Sequence, residues 1–382
     1  MRWMIKTLDQ AQELALQDIL LYRNSAWIDG FAGSGKSIVA AHLCKRIRTR
    51  NPSAKIAFIT YTHALKDMLR VGLDALSADG VIVTTHTELK RSGTYYDIIV
   101  LDEVQDIPRN DIISIKKLCE RLVVAGDVDQ SIYPNGISAD ELMQLLQPKK
   151  HRLSKIFRLT EKARRIALAV LPNARVASGE NASNRAEADF NRIEFSDEKN
   201  EALWVYEDAS SRARAGYPSA LLLTTHKEIY RFAELVAEGL RLPSPPRRKG
   251  LPQTYEDFNA FWKEEGHPLR FLGGGSGRLI ESDSEPIVYL MTYHSSKGLD
   301  FQNVYLPRAL PGMNLDPSGA GGEEMERRLM FVAVTRTREN LFVSHTGPRA
   351  HRFIEELPFA DVVRITNPKR RPQHLEDADD IF

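Results

Sequence analysis

Cysteine is nearly missing from this 382-residue chain, where Cys44 and Cys119 are the only two. They stand far apart, with no C-x-x-C spacing, so neither a disulfide framework nor a cysteine-based zinc site is expected. Long apolar runs are missing as well. None approaches the length that crosses a bilayer, and the opening Met1-Arg-Trp-Met-Ile-Lys6 is not an apolar leader. A soluble protein of a reducing cytoplasm, with no membrane partner, is the expectation. An excess of either charge is also lacking, with Lys+Arg 52 against Asp+Glu 51. Any polyanion would have to be met by a local basic patch, because the net field is close to zero. What remains is an ordinary globular composition, at a length that usually makes two or three domains with full cores.

Against this background one segment stands out. Gly30-Phe-Ala-Gly-Ser-Gly-Lys36-Ser37 follows the short apolar run Trp27-Ile28-Asp29 and precedes Ile38-Val-Ala-Ala-His-Leu43, which reads as a helix. This is G-x-x-x-x-G-K-[ST] in the setting of strand, tight loop and helix. Gly30, Gly33, Ser34 and Gly35 let backbone N–H groups turn inward around a polyphosphate. Lys36 reaches the β- and γ-phosphates, and Ser37 offers a hydroxyl to Mg²⁺. The helix N-terminus adds a favourable dipole. ATP and Mg²⁺ are the expected ligands.

Further along, Asp97-Ile-Ile-Val-Leu-Asp102-Glu103-Val-Gln-Asp106 is an apolar strand that ends in carboxylates. Asp102 can hold Mg²⁺ through water, and Glu103 is placed to orient or deprotonate the water that attacks the γ-phosphate. Gln130, in Gly126-Asp-Val-Asp-Gln130, follows another strand and can sense the γ-phosphate. Near-continuous apolar runs at 55–60, 81–84, 97–101 and 121–125, separated by helical text, predict parallel strands buried on both faces. The same alternation resumes after Pro148, with strands at 192–195, 220–224, 287–291, 303–306 and 340–344. Two α/β domains in tandem are expected, with a boundary near 145–155.

The order of these motifs resembles superfamily 1 helicases of the UvrD/Rep/PcrA type, from about Leu8 to Val343. The resemblance implies two tandem RecA-like P-loop NTPase domains with parallel sheets, and the nucleotide at the interdomain cleft. Residues 1–150 would be the ATP-binding domain and 151–366 the second domain. Residues 241–285 would be a short irregular insert, and 367–382 a disordered tail. Leu8-Asp-Gln-Ala-Gln12 is similar to the adenine-reading motif, which makes Gln12 the base contact. Leu153-Ser-Lys-Ile-Phe157-Arg158 resembles the motif whose aromatic packs on adenine and whose arginine reaches the γ-phosphate. Thr335-Arg336-Thr337 supplies the second arginine finger, and Asp300 of Lys297-Gly298-Leu299-Asp300 would contact the ribose. By the same resemblance Tyr61, Thr62, Thr85, His86, Thr292 and His294 line a groove for single-stranded DNA, or the tail of a duplex, travelled 3′ to 5′.

The departures from that pattern are informative. About ten residues separate His86 from Asp97, where relatives carry an accessory insert, and a domain needs roughly fifty or more. Residues 241–285 are too short and too broken by Pro and Gly for the second insert. A base-stacking Trp is replaced by Tyr133-Pro134-Asn135-Gly136. The motif V acid is Asp300 rather than Glu, and Ile38 stands where relatives often carry a basic residue. Tyr255, Phe258 and Trp262 have helical spacing, which favours core packing over a contact surface. Arg247-Arg248-Lys249 reads as a solvated charge run. The acidic, Phe-terminated end resembles the tail of bacterial single-strand-binding proteins. Besides a DNA translocase, two alternatives stand. One is an NTPase switch that senses nucleic acid and controls a partner such as a nuclease or a member of a single-strand-binding-protein pathway. The other is an RNA-directed motor.

Overall fold

The computed structural model describes residues 7–127, 131–132, 136–182, 187, 189–247, 255–279, 285–316, 319 and 321–369. The expected roles of Gln130, of Tyr133-Pro134-Asn135, of Arg248-Lys249 and of the tail from residue 370 fall outside these residues.

Strands and helices alternate along the first lobe. In order they are α1 (Gln10–Leu21), β1 (Ala26–Gly30), α2 (Lys36–Arg50), β2 (Ile56–Thr60), α3 (His63–Ala75), β3 (Val81–Thr85), α4 (His86–Ser92), β4 (Tyr96–Leu101), α5 (Arg109–Lys116), β5 (Cys119–Gly126), α6 (Ala139–Leu146) and β6 (Lys149–Leu153). The six strands form one parallel sheet in the order β3-β2-β4-β5-β1-β6. Side chains of a strand point alternately to the two faces, and β1 shows how the core is divided. Ala26 and Ile28 join Leu16, Val39, Leu43 and Leu69 on the face of α1, α2 and α3. Trp27 joins Ile112, Ile115, Leu142 and Leu146 on the face of α5 and α6. Both faces are covered, so these strands read as unbroken apolar runs.

A two-stranded link follows, made of β7 (Lys155–Ile156) and β8 (Glu180–Asn181) around α7 (Glu161–Val170). The second lobe holds β9 (Asp189–Phe195), α8 (Glu198–Arg214), β10 (Ser219–Leu223), α9 (His226–Leu240), α10 (Glu256–Glu264), β11 (Leu269–Phe271), β12 (Val288–Thr292), β13 (Phe301–Leu306), α11 (Gly322–Val334), β14 (Thr337–Thr346), α12 (Arg352–Glu355) and β15 (Val363–Thr366). Its seven strands are parallel, in the order β11-β12-β10-β13-β14-β9-β15. The α/β class with two parallel sheets agrees with the sequence reading. No helix among the described residues is long and apolar enough to cross a membrane.

Three details differ from expectation. The boundary expected between residues 150 and 151 falls inside β6, which pairs with β1 along its whole length. This strand reads Lys-Lys-His-Arg-Leu and buries only His151 and Leu153, the pattern of a sheet edge with one face in water. Residues 241–285 are not simply irregular. They contain α10 and β11, and β11 extends the second sheet beside β12. Tyr255, Phe258 and Trp262 are buried in the core with Phe232, Val236 and Phe271, so the packing reading of that triad holds. A last edge strand, β15, had no apolar signal because its residues are mostly exposed.

Trp262 is fully buried and ties α10 to that core. Trp262→Ala is expected to cost about 3–5 kcal/mol of folding free energy in a denaturant titration. A loss well below about 1 kcal/mol would mean that α10 is a surface appendage.

Candidate active site and strand-binding face

The phosphate loop leaves the carboxyl end of β1 and enters α2 through Gly35, which has φ +86°. Gly33 has φ +76°, and a Cβ there would stand 2.3 Å from the Cβ of Arg158. Any side chain at Gly33 would therefore be strained in its backbone and would push the arginine away. No side chain caps α2, so the amides of its first turn point into the loop without a side-chain acceptor. Lys36 Nζ donates to the carbonyls of Gly30 and Phe31, each at 3.0 Å. Its ammonium is thus held inside the loop. Ser34 is fully buried, and its hydroxyl has no partner among the described residues.

Carboxylates approach from the end of β4. Ser37 Oγ donates to Asp102 Oδ2 at 2.5 Å, which joins the two residues expected to serve a metal. Among the described residues no cluster of three or more His, Cys, Asp or Glu could cage an ion. The Ser37–Asp102 pair suits Mg²⁺, which commonly takes one or two protein oxygens and fills its shell with phosphate and water. Burial, reinforced by the charge of Glu103, pushes the Asp102 carboxyl up to about 6, against the Ser37 hydroxyl and Lys36. Burial acts on Glu103 in the same direction, but Lys297, Lys36, a hydrogen bond from Gln105 and Arg336 outweigh it and hold that carboxyl below its ordinary value. Glu103 adopts φ +52°, the left-handed region that is costly for a side chain of this size.

Two residues unassigned by the sequence reading organise this turn. Gln105 Nε2 donates to Glu103 Oε2 at 2.5 Å, and its Oε1 accepts from the Asp127 amide at 3.1 Å. It links the acid to the end of β5. Asp106 meets Lys297 of the second lobe at 2.6 Å. Both lay inside segments already singled out, but the pairing of one with the other has no local signature.

The second lobe closes the site. A cavity of about 350 Å³ lies between the lobes, and Lys36, Ser37, Glu103, Arg158, Asp300 and Arg336 all line it. Gln12 and Phe157 stand at the same cavity. Gln12 caps α1 reciprocally with Asp9 and donates to the Ser34 carbonyl at 3.0 Å. The Phe157 amide donates to the Gly33 carbonyl at 3.0 Å. Arg336 is wholly buried, with its guanidinium donating to the carbonyls of Val332 (2.8 Å) and Leu299 (3.0 Å) and to Thr335 Oγ1 (3.0 Å). Burial, then the nearby Arg158 charge, brings it down to about 9, partly offset by Glu103 and Asp300. Arg158 Nε pairs with Asp300 Oδ2 at 3.0 Å, and Arg338 pairs with the other oxygen of that carboxylate. Burial opposes ionisation of Asp300, yet the two arginines hold its carboxyl far below the usual range. The acid expected at the ribose stands on the cavity wall, where it grips two arginines.

The candidate strand contacts lie at the carboxyl ends of β2, β3 and β12. The Tyr61 and His86 rings stack, with centroids 5.4 Å apart and planes 13° from parallel. Burial pushes His86 and His294 below their ordinary values, so both rings are neutral near pH 7. The threonines are engaged in local structure. Thr62 caps α3 by accepting from the Leu65 amide at 3.3 Å. Thr85 caps α4 together with Glu88, and Thr292 Oγ1 accepts from the Ser295 amide at 3.0 Å. Thr85 and Thr292 are buried, at 3% and 7% exposure. Their first duty in this conformation is to shape turns, which is the local role short hydroxyl side chains favour at helix starts.

Comparison with known proteins agrees with this layout. Residues 12–135 match a model described as an AAA domain, and residues 275–347 match the UvrD-like helicase C-terminal domain. A DNA helicase II from Rickettsia typhi is 32% identical over 107 residues, covering 24% of this chain and 16% of that protein. The ATP-dependent DNA helicase PcrA of Staphylococcus aureus MRSA252 is 31% identical over 149 residues, covering 34% of this chain and 20% of the relative. The matched stretch is therefore a small part of those proteins. An arterivirus nonstructural protein 10 (helicase) structure covers 92% of this chain and 64% of its own, at 14% identity and a TM-score of 0.46. The phosphate loop, the acidic turn and both arginines gather at one seam, and the two matched stretches flank that arrangement, so the chain is similar in these segments to an AAA domain, to the UvrD-like helicase C-terminal domain and to parts of DNA helicase II and PcrA.

Proposed function

We propose that this chain is an ATP-dependent motor on single-stranded DNA, moving 3′ to 5′, with its two lobes closing on ATP and reopening after hydrolysis. The observation that carries the reading is the pair Arg158 and Arg336. Two like charges are held close together at the cavity, and the charge of Arg158 adds to burial in disfavouring the charged form of Arg336. Such an arrangement suits a multivalent anion such as a triphosphate. Lys36 and the α2 amides would hold the β- and γ-phosphates. Ser37 and Asp102 would hold Mg²⁺, which when bound supplies neutralisation of the β/γ oxygens. Glu103, kept ionised by its neighbours, would orient the attacking water and accept its proton. Arg158 and Arg336 would offset the charge that grows on the γ-phosphoryl oxygens, a role worth about 10³–10⁵ in rate in other NTPases. Gln130 is proposed as the γ-phosphate sensor, and Gln12 and Phe157 as the adenine contacts. The strand would cross Tyr61, His86 and His294, with Thr62, Thr85 and Thr292 shaping the turns beneath it. Division into two moving bodies after β6, and residence in the cytoplasm, belong to the same proposal.

A second reading has specific support. The direct β3–α4–β4 connection leaves no room for an accessory domain at that point. The Trp expected to stack on a base, a contact worth about 1–3 kcal/mol, is missing from Tyr133-Pro134-Asn135. Both favour an NTPase switch that controls a partner such as a nuclease or a single-strand-binding-protein pathway member. ATP turnover measured alone, with single-stranded DNA and with RNA separates the readings. Strong stimulation by DNA supports the motor, high turnover indifferent to both polymers supports the switch, and stimulation by RNA alone points to an RNA motor.

Glu103→Gln is expected to leave ATP affinity nearly intact and to lower turnover by about 10²–10⁴. Normal turnover would remove Glu103 from its role. Gly33→Ala should weaken binding of a fluorescent ATP analogue about ten-fold or more, since both backbone and Arg158 must shift. On tailed duplexes of either polarity the chain by itself should displace strands poorly. Processive unwinding would contradict the importance given to the short connections.

A further inference from the structure

One buried ion pair crosses the seam outside the nucleotide cavity. Lys297 Nζ and Asp106 Oδ2 are 2.6 Å apart, and their side chains are 3% and 0% exposed. Asp106 ends the single 3₁₀ turn that begins after Glu103, and its amide donates to the Glu103 carbonyl at 3.0 Å. Lys297 lies in the middle of the second-lobe segment from Thr292 to Asp300. At one end of that segment Thr292 is locked to Ser295, with His294 between them in sequence. At the other end Asp300 grips Arg158 and Arg338. Gly298, next to Lys297, packs so closely on α3 that a Cβ would stand 2.6 Å from Leu65 Cδ1. The segment is therefore seated against the first lobe by an apolar contact and a charged one. One short stretch of chain touches the strand-binding face, the acidic turn and an arginine of the cavity.

From this arrangement, and resting on the motor reading above, we infer that Lys297 is a positioning residue. Paired with Asp106 across the seam, it seats the Thr292–Asp300 segment on the acidic turn, so that a strand held beside His294 sets Glu103 for hydrolysis. The physical basis is the lack of water around the pair. A lysine removed from Asp106 would leave a buried carboxylate uncompensated, so the acidic turn prefers the docked arrangement. Any strand that favours docking must then favour the active placement of Glu103 by linkage. The charge of Lys297 also reaches Glu103 directly and favours its ionised form.

The test compares Lys297→Met, Asp106→Asn and the charge-keeping Lys297→Arg in the full chain. The two neutralising variants should lower DNA-stimulated kcat about ten-fold or more, with the KM for ATP moving less than about three-fold. Lys297→Arg should recover much of the stimulation, a split that general loosening of the fold would not produce. A second readout needs no turnover. Spin labels on the exposed Lys117 and Glu264 should report one narrow inter-lobe distance in the parent protein and a broader distribution in both neutralising variants. Stimulated turnover and inter-lobe distances unchanged in Lys297→Met would overturn the inference. Should the parent protein itself show no stimulated hydrolysis, the motor reading fails, and the distance distributions alone decide whether the pair seats the segment.

Discussion

Charge at the inter-lobe seam is balanced largely away from water, and the architecture depends on that balance. Lys36, Lys297, Arg158, Arg336 and Arg338 face Asp102, Glu103, Asp106 and Asp300 in one layer, in which only Arg158, Arg338 and Asp300 are partly exposed. Isolated, any of these groups would be expensive to bury. Together they tolerate burial because each has a counter-charge or a set of backbone acceptors. Arg336 shows the limiting case, its guanidinium committed to two carbonyls and a hydroxyl while its ring of neighbours still carries Arg158. An arriving polyphosphate would relieve the excess of positive charge near Arg158 and Arg336.

The layer works because both sheets aim the same end at it. In parallel α/β sheets the carboxyl ends of the strands are where chain direction reverses into loops, and ligands collect there. β1 delivers the phosphate loop, β4 the acidic turn, and β12 the segment that carries Lys297 and Asp300. The seam is also apolar in part. Phe31, Leu65 and Met68 of the first lobe share one buried cluster with Met291, Leu299 and Phe301 of the second. Apolar contact sets how closely the lobes approach, and the ion pairs set their register. Phe157 adds a backbone hydrogen bond to Gly33, so the chain that leads into the second lobe is fastened to the phosphate loop itself.

The two connections where the resemblance led us to expect accessory inserts are short here. Between β3 and β4 stands only the seven-residue α4. Between α9 and β12, α10 and β11 add one helix to the aromatic core and one strand to the sheet. These pieces protect sheet edges without building a separate body above the groove. The proposed strand-binding face consists of short turns, whose threonines are spent on local hydrogen bonds and whose rings, Tyr61 and His86, stack on each other.

Local pattern determined a great deal by itself. Strands buried on both faces must be apolar throughout, so β1, β2, β4, β5, β10 and β12 were legible, and Gly33, Gly35, Lys36 and Ser37 announce a phosphate loop because backbone sterics and charge demand those residue types in that order. Edge strands escaped for the converse reason. β6 and β15 keep one side in water and so carry charge where a buried strand carries Val or Ile, and β11 is only three residues long. Long-range geometry alone decided the rest. The Lys297–Asp106 pair, the clamp of Asp300 on Arg158 and Arg338, and the bridge of Gln105 to Asp127 join residues distant in the chain, with no periodicity to betray them. The bridge forms only once β4 and β5 lie side by side, and the Lys297–Asp106 pair only after both lobes have folded and met, where pairing offsets the cost of burying its charges.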